Sequence, residues 1–219
     1  MKISKYLHSC LVFEEKGYKL LIDPGKFSFA EGLVKPEQFA DVRSIIITHI
    51  HPDHLDIENL RIIAQLSGAS ILTNKQVGEK LTETNIPFEL LCNGIQQLGP
   101  FKLETFTVQH QLIMDNPLPQ MTGLLINDKV LHPVDSLDES LLKYKDVELL
   151  LMVTMAPFAT EPQIAAFADK LQPKQILPVH DGYAKEFFIK QRYEAYTKHF
   201  DKQGIKFHNI YQPGDSITI

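Results

Sequence analysis

The sequence Thr48-His49-Ile50-His51-Pro52-Asp53-His54 is the most informative part of this chain. It places three imidazoles and one carboxylate, in the pattern H-x-H-x-D-H, in a single short loop. Imidazole and carboxylate groups are common protein ligands of zinc and related divalent ions. The preceding residues, 44–48, are apolar and β-branched and predict a buried strand. The motif is therefore predicted to form a metal site at the carboxyl end of a strand.

The spacing of the motif predicts two ions. His49 and His51 are two residues apart and can point the same way from an extended backbone. Pro52 then turns the chain, so that Asp53 and His54 face a second point nearby. The alternative is a polar loop whose histidines only cap a helix that begins near Asp56.

Composition favours an enzyme-sized domain spanning residues 1–219. The chain is 44% hydrophobic, and its net charge of -5 argues against a general polyanion binder. Cys10 and Cys92 form no C-x-x-C pair, so both are expected to be small buried residues. No apolar run is long enough for a membrane span or a leader peptide, which makes the cytoplasm the default location.

Strand and helix patterns alternate in two halves of the chain. Residues 3–13 and 18–22 predict a β-hairpin joined through residues 14–17. The lysines and aromatics of residues 183–203 are compatible with nucleic-acid binding, but an amphipathic helix on a sheet explains the same spacing. Further strands are predicted at 70–73, 147–155 and 175–179, and further helices at 57–66, 76–84 and 163–171.

Three more metal-ligand candidates lie where later strands end. His110 follows the strand-like residues 103–109, Asp135 follows 129–134, and His180 follows 175–179. Each position is analogous to that of His49. A site for two ions needs more than four protein ligands, and these three residues are the candidates for the remainder.

The chain resembles the metallo-β-lactamase superfamily, in the branch of small metal-dependent hydrolases similar to L-ascorbate-6-phosphate lactonases. The resemblance implies an α/β fold, an αββα sandwich of two mixed β-sheets flanked by helices. The features that carry it are Leu7-His8-Ser9-Cys10, Leu20-Leu21-Ile22-Asp23-Pro24, residues 48–56, His110, His132-Pro133-Val134-Asp135 and Pro178-Val179-His180.

The resemblance also implies a ligand set. His49, His51 and His110 would hold one ion, Asp53, His54 and His180 the other, and Asp135 would bridge the two. Zinc fits this set best, and manganese or iron are alternatives. The family usually has Gly before the bridging carboxylate, whereas this chain has Val134, so the turn that carries Asp135 is expected to differ.

Other residues have two interpretations each. Asp23 either orients a ligating imidazole or forms a turn before Pro24. His8 either faces the pocket or is a core histidine, and a structural role is favoured for His132. Asp181 and Tyr183 either meet substrate or belong to an exposed turn.

The function implied is hydrolysis of a small ester, lactone or phosphoester by a metal-bound hydroxide. Asp53 is expected to accept a proton or hydrogen bond from the attacking water. The expected partner is a small molecule rather than a nucleic acid or a membrane, and one hypothesis is that this molecule is anionic. A homo-oligomer is left open. A nuclease of the same fold, a di-iron oxidoreductase and a non-catalytic metal-binding module are the alternatives.

Overall fold

Two seven-stranded mixed sheets form the centre of the fold. The structure, a computed structural model, describes residues 1–219. In the first sheet the order is β14-β1-β2-β3-β4-β5-β6, and in the second it is β13-β12-β11-β10-β9-β8-β7. The first sheet contains β1 (Lys2–Lys5), β2 (Leu11–Glu15), β3 (Tyr18–Ile22), β4 (Ser44–Ile47), β5 (Ser70–Thr73), β6 (Glu89–Leu90) and β14 (Ser216–Thr218). The second contains β7 (Gly94–Leu98), β8 (Phe101–Val108), β9 (Met121–Ile126), β10 (Val130–His132), β11 (Leu149–Val153), β12 (Gln175–Val179) and β13 (Lys206–Phe207).

Helices cover the outer face of each sheet. Strand β4 shows why, because its side chains alternate: Ile46 joins the apolar cluster between the sheets, whereas Ile45 and Ile47 pack under helices. The predicted αββα sandwich is confirmed. The helices are α1 (Lys26–Phe29), α2 (Ile57–Ser67), α3 (Lys75–Glu83), α4 (Glu161–Leu171) and α5 (Glu186–Phe200), and short 3-10 turns lie at Pro36–Phe39, Glu139–Tyr144 and Asp201–Gln203. No helix is both long and apolar enough to cross a membrane.

The amino-terminal β-run is two strands rather than one. Residues 3–13 were predicted to be continuous, but β1 and β2 pair antiparallel, with Ile3 opposite Phe13. Leu7 and His8 make the reversal with φ angles of 73° and 51°. Non-glycine residues seldom adopt this left-handed conformation. Because residues 7 and 8 include no Gly, the sequence pattern predicts an unbroken strand across them.

The prediction for one of the two cysteines is wrong. Cys10 is buried, but Cys92 is exposed in the connection between β6 and β7. Its backbone carbonyl accepts a hydrogen bond from the Thr105 hydroxyl at 2.6 Å, which fixes the loop while the thiol faces outward. Neither thiol forms a disulfide.

Candidate metal centre

The predicted ligand residues meet at one edge of the sandwich, as strand-end positions require. The loop after β4 delivers four of them, and the chain after β8, β10 and β12 delivers the others. Their ligating atoms form two groups, each with all its atoms within 4.8 Å of one another. One group is His49, His51, His110 and Asp135, and the other is His8, Asp53, His54 and His180.

The histidines of the motif do not cap the following helix, which was the alternative interpretation. Asp56 caps α2 instead, because its carboxylate accepts hydrogen bonds from the backbone N–H groups of Glu58 and Asn59, both at 3.1 Å. The imidazoles are therefore free to face the site.

Asp135 lies between the two groups. Its Oδ2 is 3.2 Å from Nε2 of His54 and 3.4 Å from Nε2 of His110. The same oxygen is 3.6 Å from Nε2 of His49 and 3.5 Å from Nε2 of His180. A carboxylate so placed reaches both groups, which is the position that the family resemblance implies for a bridging residue.

Val134 carries Asp135 into this position by adopting the left-handed conformation usually left to Gly. Its φ is 54° and its side chain is fully buried. This conformation costs a non-glycine residue about 1–2 kcal/mol. The valine takes on this backbone strain, and the carboxylate faces the imidazoles.

Asp23 orients two parts of the motif at once. Its Oδ1 accepts a hydrogen bond from the Thr48 N–H at 2.8 Å. Its Oδ2 lies 2.6 Å from the Thr48 hydroxyl and 2.8 Å from Nδ1 of His54, and it accepts from both. Because the Thr48 hydroxyl donates to Asp23, it can accept from Nδ1 of His49 at 3.1 Å. In both imidazoles the Nδ1 proton is thereby fixed, and the Nε2 lone pair is left for a cation.

Backbone carbonyls hold the two later histidines in the same way. Nδ1 of His110 is 2.5 Å from the carbonyl oxygen of Gln111. Nδ1 of His180 is 2.6 Å from the carbonyl oxygen of Met155. Each Nδ1–H donates to its carbonyl, so that each Nε2 lone pair faces the centre of the site.

His8 faces the site and is not an isolated core histidine. The Gly182 N–H donates to its Nδ1 at 3.1 Å, which assigns the ring proton to Nε2. That Nε2–H can then donate to Oδ2 of Asp53, 3.0 Å away. Burial lowers the pKa of His8 to about 4, so the ring is neutral at pH 7. His8 is thus a hydrogen-bond donor that holds Asp53.

Several buried polar atoms have no hydrogen-bond partner, which tests whether the site fits metal ions. They include Nε2 of His54, Nε2 of His110 and Oδ1 of Asp135. In addition, Nε2 of His49 and Nδ1 of His51 lie 3.1 Å apart. Since the Nδ1 proton of His49 is directed at Thr48, this close approach presents two lone pairs to each other unless a cation or a proton lies with them. Unpaired buried groups are costly, and divalent ions would satisfy this set.

The charges of the site are strongly coupled. Burial lowers the pKa of His54, but the carboxylates of Asp135, Asp53 and Asp23 outweigh it and raise that pKa well above its usual value. The same competition raises the pKa of His180 to about 10. Although burial opposes it, the nearby imidazolium charges hold the pKa values of Asp53 and Asp135 below the ordinary range. Protons and metal ions therefore compete for the same nitrogen lone pairs.

A cavity of about 540 Å³ opens above these residues, here called the metal pocket. Asp53, whose side chain is 17% exposed, and Asp135 belong to its floor. Its walls add residues that sequence reasoning missed, because their chain segments are distant from the motif. These are Phe27, Ile113, Asn116, Ala156, Pro157 and Phe158.

The two substrate-contact candidates that follow His180, Asp181 and Tyr183, differ in position. Tyr183 lines the metal pocket, and burial, aided by the charges of Asp53 and Asp181, raises the pKa of its hydroxyl, which therefore keeps its proton. Asp181 points inward instead and is buried beside Lys5 and Tyr193, with which it forms an ion pair and a hydrogen bond. It is excluded from contact with substrate, because its carboxylate is occupied inside the fold.

His132 lies outside both ligand groups. It is fully buried, and neither ring nitrogen has a hydrogen-bond partner. Burial lowers its pKa to about 4. The geometry agrees with the structural role favoured from the sequence.

The chain is similar to known proteins in both sequence and structure. A family model described as a beta-lactamase superfamily domain matches residues 2–180. A UPF0173 metal-dependent hydrolase from Pyrobaculum neutrophilum is 26% identical, and the alignment covers 100% of both chains. The structure of Igni18, a metallo hydrolase from Ignicoccus hospitalis, superposes with a TM-score of 0.74 at 18% identity, covering 99% of this chain and 97% of that one. An isothiocyanate hydrolase from Delia radicum gut bacteria has a TM-score of 0.74 at 16% identity, covering 100% and 99%.

Proposed function

Because this chain belongs to the metallo-β-lactamase superfamily, we propose that it hydrolyses a small ester, lactone or phosphoester with two divalent metal ions. Its relatives include proteins named metal-dependent hydrolases, which supports metal-dependent hydrolysis as the reaction class. The observation that carries the proposal is the set of buried atoms on His54, His110 and Asp135 that have no hydrogen-bond partner, beside a cavity that His110 and Asp135 line.

The ligand assignment follows the two groups with one change. One ion would be held by His49, His51 and His110, and the other by Asp53, His54 and His180, and Asp135 would contribute to both sites. His8 is near the second group, but we assign it to Asp53 as a hydrogen-bond donor because its Nδ1 accepts the Gly182 N–H. A set rich in imidazole suits zinc first, and its carboxylates also suit manganese or iron.

The chain's own groups have distinct tasks in hydrolysis. When bound, two divalent ions lower the pKa of a shared water toward about 7 and polarise the group under attack. Asp53 is reachable from the cavity and stays ionised, so it can accept a proton or hydrogen bond from the attacking water. His8 keeps that carboxylate in place, and the protonated hydroxyl of Tyr183 can donate a hydrogen bond to substrate.

The test is metal content together with a substrate panel. Protein reconstituted with zinc, manganese or iron should hold close to two ions per chain, and small esters, lactones or phosphoesters should be cleaved faster than oligonucleotides. His110→Ala should lower both stoichiometry and turnover. His199→Ala is the matched control, because His199 pairs with Asp169 at the surface. A stoichiometry that never exceeds one would contradict the two-ion centre.

The same panel separates the competing functions. A nuclease would cleave oligonucleotides faster than every small molecule, and a non-catalytic module would bind ions without turnover. No Lys or Arg side chain lines the metal pocket, which disfavours a polyanionic substrate. An anionic substrate would therefore depend on the charge of the ions themselves.

A further inference from the structure

A second cavity adjoins the metal pocket. Its volume is about 760 Å³, and we call it the aromatic cavity. The two cavities share Ala156, Pro157, Phe158 and Tyr183 as a common wall. Each is within the size range of small-molecule sites. A molecule whose reacting group lies at the ions can therefore extend past Phe158 and Tyr183 into the second space.

Eight of the fourteen residues that line the aromatic cavity are hydrophobic. Phe158, Phe187 and Phe188 contribute rings, and the Phe187 side chain is 70% exposed. When an apolar group covers so exposed a phenylalanine at the mouth of a concave site, the apolar surface removed from water lowers the free energy of the complex. The far rim is fixed by the ion pair between Glu161 and Arg192, whose guanidinium lies over the Phe188 ring at 4.6 Å.

Neither cavity offers a built anion site. Lys185 is the one cationic residue that lines the aromatic cavity; it is exposed and shares the lining with Glu161. A phosphate or carboxylate on the part of a substrate that enters the aromatic cavity would meet no buried cationic side chain. An uncharged arm has no charge to desolvate there, and the rings of Phe158, Phe187 and Phe188 offer it apolar contacts.

We propose that the aromatic cavity binds an uncharged apolar or aromatic arm of the substrate, and that Phe187 determines specificity for it. This inference rests on the proposed function and narrows its substrate class to neutral esters or lactones with such an arm. The ester carbonyl lies over Asp53 and Asp135 while the arm passes between Phe158 and Tyr183.

The experiment compares three probes with one alcohol in common: ethyl acetate, ethyl 4-phenylbutyrate and ethyl phosphate. Wild-type metal-loaded protein should prefer the phenylbutyrate in kcat/KM. Phe187→Ala should reduce the phenylbutyrate-to-acetate ratio by about tenfold, since burying a ring in an apolar site commonly contributes that much. Ile95→Ala is the matched control, because Ile95 is 69% exposed on β7 and lines neither cavity. Unfolding midpoints of both variants verify folding.

A binding measurement distinguishes failure of this inference from failure of the proposed function. Ligand-observed NMR with 4-phenylbutyramide, which resists hydrolysis, should show saturable binding that Phe187→Ala weakens and Ile95→Ala does not. If no ester is hydrolysed but the amide binds in this way, the arm site stands and the hydrolase proposal fails. Preference for ethyl phosphate or acetate, an equal loss in Ile95→Ala, or the absence of saturable amide binding would overturn the arm site.

Discussion

Replacing Asp23 with asparagine tests how the motif is held, because one carboxylate serves three donors. Oδ1 accepts from the Thr48 N–H, and Oδ2 accepts from the Thr48 hydroxyl and Nδ1 of His54. An amide has one carbonyl oxygen, so its NH₂ group must face a group that also donates. If it faces His54, the imidazole is expected to move its proton to Nε2, the atom directed at Asp135.

The magnitude follows from that proton. A ligating nitrogen that carries hydrogen cannot bind an ion, and loss of such an outer carboxylate commonly lowers metal affinity about 10- to 100-fold. This corresponds to about 1.4–2.7 kcal/mol of binding free energy. The loss should fall mainly on the ion held with Asp53 and His180, because His54 belongs to their group.

The assay is a zinc titration against a chromophoric chelator, which yields the two dissociation constants separately. Asp56→Asn is the matched control: it makes the same chemical change two residues after His54, but Asp56 caps α2 and touches no imidazole. Asp56→Asn should bind both ions nearly as wild type does. Equal weakening in the two variants, or wild-type affinities in Asp23→Asn, would refute the hydrogen-bond reasoning.

Three further predictions concern other parts of the site. Asp53→Ala should yield a protein with one ion and a turnover lowered at least about a hundredfold, measured by elemental analysis beside kinetics; near-normal turnover would exclude the role of Asp53. Gly25→Ala should destabilise the fold by about 2–3 kcal/mol in chemical unfolding, because the added methyl group would lie 1.9 Å from the Asp53 carbonyl oxygen. Gly204→Ala, where that methyl group meets nothing within 4 Å and only the left-handed φ of 72° opposes it, should cost about 1–2 kcal/mol. Burial lowers the folded pKa of His132 from 6.5 to about 4, so its neutral form stabilises the fold above pH 6.5, and about 3 kcal/mol of stability is lost as pH falls to 4. His132→Leu should remove this loss from the pH profile of unfolding, and an unchanged profile would argue against it.

The αββα sandwich is implied by the family resemblance, whereas the strand patterns predict where the ligand candidates lie. His110, Asp135 and His180 are predicted at the ends of later strands, and the structure brings all three to the loop after β4. Their roles as ligands stay predictions, as do the two ions, the cytoplasmic location and the oligomeric state. Strand patterns predict well which side chains lie at the same edge of the sheets.

The remaining features depend on contacts that no local pattern encodes. The reversal at Leu7 and His8 uses left-handed backbone without Gly, so it resembled a strand. The inward turn of Asp181 depends on Lys5, which is 176 residues away in the chain. The aromatic cavity likewise arises from two segments, around residues 154–163 and 183–188, that become neighbours only in the folded protein.

The contact between His8 and the turn after β12 has a consequence for the order of folding. The His180 N–H donates to the His8 carbonyl, and the Gly182 N–H donates to the His8 ring, so two segments 174 residues apart in sequence must meet before the second ligand group exists. Closing so long a loop is slow and entropically costly, which places it late in folding. We therefore expect metal uptake to follow the rate-limiting step. The ions should slow unfolding and leave the refolding rate nearly unchanged.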